Sequence, residues 1–217
     1  MSGLFPASTP DWARHLTKAV ISGVVFGAVG YGVGQFAAEL FPGFQPDLSG
    51  LRWADVAATV VVALLLVACA GTFVTSFNRA FLGRTLKLEG PAGPGEVREV
   101  RIQSAILGLS GVVIAMPMIL SGLGVPVTAS IAALGLLMVL HTVLNVRLYR
   151  SVDELFRSVV IEAGALTFWL GQGLLFLWAA AERLGAAPAL TGWDIYVVLM
   201  SVYLIVSMVV TVRRGLA

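Results

Sequence analysis

Charge is scarce in this chain. Asp, Glu, Lys and Arg make up 12% of its 217 residues against 58% hydrophobic ones, a balance far from that of a water-soluble globular domain. The single cysteine, Cys69, excludes an internal disulfide and any redox framework built on one. There is no H-E-x-x-H pair for zinc, no aspartate run with phosphotransferase spacing, and no lysine inside a hydrophobic run to hold a retinal. The Gly- and Pro-rich run Gly90-Pro91-Ala92-Gly93-Pro94-Gly95 has no strand before it and no Gly-Lys-Ser/Thr ending, which argues against a phosphate-binding loop. A concentrated basic face interleaved with aromatics is missing too, so nucleic acid is not an expected partner. The expectation is therefore no cofactor, no metal and no catalytic residue.

What the chain does have is long apolar runs, at about residues 19–40, 54–77, 102–122, 127–146, 160–181 and 195–212. Each is close to the ~20 residues that cross a hydrocarbon core at 1.5 Å per residue. Backbone polar groups in lipid must be satisfied within the segment, which selects helices. A membrane β-barrel is excluded because Val60-Val61-Val62-Ala63-Leu64-Leu65-Leu66-Val67 is continuously apolar where a barrel strand would alternate. The predicted fold is all-α: one polytopic transmembrane helical bundle, six spans in three hairpins.

The connectors orient it. Arg14 and Lys18 precede the first run, Arg79, Arg84, Lys87, Arg98 and Arg101 follow the second, Arg147, Arg150 and Arg157 follow the fourth, and Arg213 and Arg214 follow the sixth. Only Arg52 and Arg183 fall on the other connectors, beside Glu39, Asp47, Asp55, Glu182 and Asp194. The positive-inside rule then expects both termini in the cytoplasm. Trp53, Trp178 and Trp193 would mark the outer interface, Trp12 and Tyr149 the inner one. Residues 1–17 lack the basic start and small-residue cleavage site of a secretory signal, so the first span is expected to be retained.

The longest connector, 78–101, reads as a basic stretch, a Gly-Pro hinge, and a helical extension of the third span from Glu96. The uncharged turn 122–126 predicts that the third and fourth spans are antiparallel neighbours. Ser151-Val152-Asp153-Glu154 has a capping-box pattern, and Asp153 with Arg157 at i,i+4 would support a helix that starts ahead of the fifth span.

Two residue classes stand out within the runs. Gly23, Gly27, Gly30 and Gly34 give the first span two G-x-x-x-G spacings, a helix-association pattern that Gly108/Gly111 and Gly171/Gly173 extend more weakly. The polar candidates are His141, Glu162, Ser110 and Asn145. Counting from the inner border at 1.5 Å per residue, Glu162 lies ~3 Å in, His141 ~8 Å, and Ser110 and Cys69 ~12 Å. Ser110 and His141 fall at similar depth on neighbouring spans, and Glu162 is shallow enough to reach headgroups or pair with Arg147, Arg150 or Arg157. A histidine in such a place is either a hydrogen-bonded strut or a proton carrier.

Asp153-Glu154-Leu155-Phe156-Arg157 with Glu162, then two spans and Arg213-Arg214, resembles uncharacterised small proteobacterial inner-membrane proteins with a D-E-x-x-R-x-x-x-x-E entry to a terminal hairpin. The resemblance covers the last third of the chain and implies a bacterial inner membrane, with no mechanism attached. Gly108-Leu109-Ser110-Gly111 with His141-Thr142-Val143-Leu144-Asn145 also resembles elements of rhomboid intramembrane proteases. The order is reversed and no histidine follows His141, which counts against that activity. The expected role is a non-enzymatic integral subunit or scaffold that contacts the lipid bilayer and either copies of itself or other membrane proteins. The alternative is a small oligomeric transporter or channel built on the polar cluster.

Overall fold

The computed structural model describes residues 52–214. Within them the chain forms α1 (Trp53–Thr75), α2 (Arg79–Thr85), α3 (Pro94–Gly122), α4 (Val127–Ser151), α5 (Glu154–Arg183) and α6 (Gly192–Arg213). All but α2 are long and apolar enough to cross a membrane, which makes this a polytopic membrane protein. The first expected span, with Gly23, Gly27, Gly30 and Gly34, lies outside the described residues.

α1 occupies the centre. It packs against α3 and α6, while α4 packs on the far side of α3 and α5 on the far side of α6. Ala54, Ala58, Val61 and Leu65 recur at helical spacing along one face of α1 and are buried with Ile114 of α3 and Val197 of α6. A second apolar cluster, Val159, Ala163, Val206 and Val210, joins α5 to α6. Small residues permit close approach: a Cβ on Gly108 would sit 3.0 Å from Cys69 Sγ, and one on Gly111 would sit 3.2 Å from Leu66.

Turn chemistry fixes the hairpins. Gly124 and Gly185, at φ +64° and +74°, close α3 and α5 in the left-handed conformation that glycine adopts without strain. Val125 N–H then reaches back to Leu120 O and Ala186 N–H to Ala181 O. The expected antiparallel pairing of α3 with α4 follows directly.

Three local readings are corrected. α4 runs on through Ser151, so Ser151 ends one helix instead of starting the next; Asp153 is the N-cap of α5, accepting from Phe156 N–H at 2.8 Å. Arg157 does not support the helix through Asp153: it donates to Tyr149 O and Val152 O and lies over the Tyr149 ring. The Gly-Pro run is no open hinge either. It folds back on α2, with Ala92 N–H bonded to Arg79 O and Arg79 Nε–H bonded to Ala92 O. A Cβ on Gly83 would come 2.1 Å from Gly90 O, so that close approach requires glycine. Leu82, Ala92 and Val100 form a small core beneath it. The expected helical extension of the third span is present, starting with Pro94 at the first turn.

Candidate functional site

The helix pairings bring the lysines and arginines of residues 52–214 to one end of the bundle, with Arg52 and Arg183 at the other. The polar side chains within the spans distribute over three separate helix pairs.

On α3 and α4, Ser110 Oγ lies 2.8 Å from His141 Nε2 and 2.8 Å from the carbonyl oxygen of Ile106, one turn back. A hydroxyl has one proton. When Ser110 donates it to Ile106 O, the ring must carry its proton on Nε2 and donate to Oγ, which leaves Nδ1 as acceptor. Asn145 supplies the complementary donor: its amide nitrogen lies 3.3 Å from Nδ1 and 3.2 Å from Nε2, and bonds to His141 O at 2.9 Å. On this assignment both ring nitrogens have partners, and His141 is hydrogen-bonded from α4 to α3. A nucleophilic serine would need Nε2 as its proton acceptor, the opposite assignment, and would have to give up the bond to Ile106 O.

Cys69, on α1 at the same expected depth as Ser110, packs against a different face of α3. Ser104 Oγ donates to Cys69 O at 2.9 Å and lies 3.5 Å from Cys69 Sγ, joining α1 to α3. Thus Ser104 and Gly108 address α1, while Ile106 and Ser110 address α4. Which face of α3 each residue occupies was not readable from the sequence.

Glu162 is not part of the histidine cluster. It accepts from Arg214 Nε at 3.1 Å and Nη2 at 2.5 Å, clamping α5 to the end of α6. This corrects the expected choice among Arg147, Arg150 and Arg157. Those arginines lie close in sequence, but the antiparallel α5–α6 packing carries the end of α6 past Glu162.

Sequence reasoning missed the polar joint at the other end. Asp194, 1% exposed, accepts from Thr191 N–H at 2.7 Å, Thr191 Oγ1 at 2.7 Å and Arg52 Nη2 at 2.5 Å, all on Oδ2. Trp193 Nε1–H donates to Asp55 Oδ1 at 2.9 Å. Together these fasten the starts of α1 and α6. The T-x-x-D spacing of Thr191 and Asp194 marks a capping box that can be found in the sequence; the bonds across 138 and 142 residues cannot.

Among the described residues no three His, Cys, Asp or Glu side chains gather as metal ligands. Comparison with known proteins found no matching family model, no matching curated protein and no matching solved structure.

Proposed function

We propose that the protein is a non-enzymatic integral membrane subunit that associates with other membrane proteins, copies of itself included, through helix faces left open among the described residues. The observation that carries this is α4. In its most apolar stretch no residue is buried, against 17–22% in the other four long helices, and its one buried residue is Leu148 near the basic end. The same helix presents small exposed residues, Ala129, Ala132, Ala133 and Gly135, where another backbone could approach. A Cβ on Gly135 would meet nothing within 4 Å. The glycines of residues 19–40 would act in the same way. The distribution of basic residues supports a cytoplasmic location for the basic end and for both termini, and the resemblance of the terminal hairpin supports a bacterial inner membrane.

Purification in mild detergent tests this. Wild-type protein should elute as an assembly, and Gly135→Leu should release the protomer while leaving it folded. An unchanged assembly in Gly135→Leu would remove α4 as the association face.

The second reading, a small oligomeric transporter or channel, is favoured by one observation: the Ser110–His141–Asn145 network at membrane depth. His141→Ala separates the readings. Loss of ion or proton flux in proteoliposomes with assembly intact would support transport; no flux in the wild type would leave the subunit reading.

A further inference from the structure

At the basic end, α2, α3 and α4 enclose a groove lined by Arg79, Arg98, Arg101, Ile102, Ala105 and Leu144. We infer that this groove is a binding site for one anionic phospholipid, with its phosphate held by the arginines and an acyl chain lying along Ile102, Ala105 and Leu144.

The helical period puts the two chemistries in one line. Arg98, Arg101, Ile102 and Ala105 recur at i, i+3, i+4 and i+7, so one face of α3 passes from guanidinium to apolar surface. The passage coincides with the start of the apolar run at 102, where headgroups give way to acyl chains. The arginines are available for an outside anion. Among the described residues Arg98 has no ion pair, Arg79 uses Nε on Ala92 O, and Arg101 uses Nε on Ser76 Oγ while lying over the Phe77 ring. These contacts orient Arg79 and Arg101 without neutralising them. Of the nearby carboxylates Glu96 folds back against Gly93, and among the described residues no carboxylate forms an ion pair with these three arginines. A guanidinium matches a phosphate with paired donors, and a basic recess between membrane helices adds a wall for the lipid tail.

A free phosphate would use the arginines alone, whereas a lipid needs the apolar wall as well. Native mass spectrometry of the full chain in mild detergent, titrated with phosphatidylglycerol and with phosphatidylcholine, reads the difference. At about fivefold per arginine near an anionic surface, wild type should favour phosphatidylglycerol by roughly tenfold or more. Arg98→Gln with Arg101→Gln should cut that preference to no more than the roughly fivefold that Arg79 alone could give; Arg147→Gln, on α4 and outside the groove, should leave it unchanged. Ala105→Trp fills the wall and should weaken lipid binding with the arginines intact. Circular dichroism confirms that each variant retains its helices. Equal binding of the two lipids would overturn the site, as would a loss in Arg147→Gln as large as that in the double variant. Displacement of the lipid by inorganic phosphate, or full binding in Ala105→Trp, would reassign the arginines to a free anion.

Discussion

The hairpins α3–α4 and α5–α6 have the same topology and are held together differently. In α5–α6 the apolar residues interlock: Ala163 and Val210 are 2% and 0% exposed, and Gly171 lets Leu199 approach so closely that a Cβ there would sit 2.6 Å from it. The Glu162–Arg214 pair adds a clamp at the half-exposed rim. In α3–α4 the buried apolar cluster lies toward the basic end, around Ile106 and Leu148, Leu134 and Leu137 of α4 are only partly buried, and the deeper polar link is the Ser110–His141 hydrogen bond. In lipid, where apolar surface gains little by being covered, packing and hydrogen bonds are the cohesive terms. Among the described residues one hairpin has used its packing surface internally and the other has kept it open.

The largest effect should come from adding bulk to the packed hairpin. Ala163→Leu overfills the α5–α6 cluster and should destabilise the protein by about 2 kcal/mol in denaturant titration from mixed micelles. The matching change on the open helix, Gly135→Leu, should move protomer stability by no more than ~0.5 kcal/mol while disrupting assembly. Equal destabilisation by the two would mean that the hairpins do not differ as described.

His141→Ala should cost about 1 kcal/mol, with most of that loss absent in a Ser110→Ala background, because hydrogen bonds between membrane helices are worth about 0.6–1.7 kcal/mol. A double-mutant cycle measures the coupling, and additive losses would show that the two side chains do not act as a pair. The smallest loss of a polar link belongs to Glu162→Gln. Its partner is 44% exposed at the rim, so the change should cost less than ~1 kcal/mol and shrink as salt is added. A large, salt-independent loss would make the ion pair the main bond of its hairpin.

Helices were legible because apolar length acts locally; the five described spans fall where hydropathy puts them. Local signals also gave the 122–126 turn and the early start of α3, expected from Glu96 and found from Pro94. What depends on rotation about the helix axis was not legible. Ser104 and Ser110 lie on the same helix, yet one bonds to α1 and the other to α4, and no residue near either reveals that. Arg214 as the partner of Glu162, and Asp194 as the partner of Arg52, required knowing which helix lies beside which. The fold-back of 83–92 was hidden for a related reason: Gly and Pro signal a turn but not the surface on which it closes.

Photo-crosslinking from α4 in intact membranes tests the central claim most directly. A photoreactive residue at Leu136 or Val139, 72% and 62% exposed, should yield discrete protein adducts, and one at Ala163, inside the α5–α6 cluster, should yield none between chains. Adducts with lipid alone from both α4 positions would show that the open helix faces the bilayer, and would contradict the account of this protein as a subunit that associates through it.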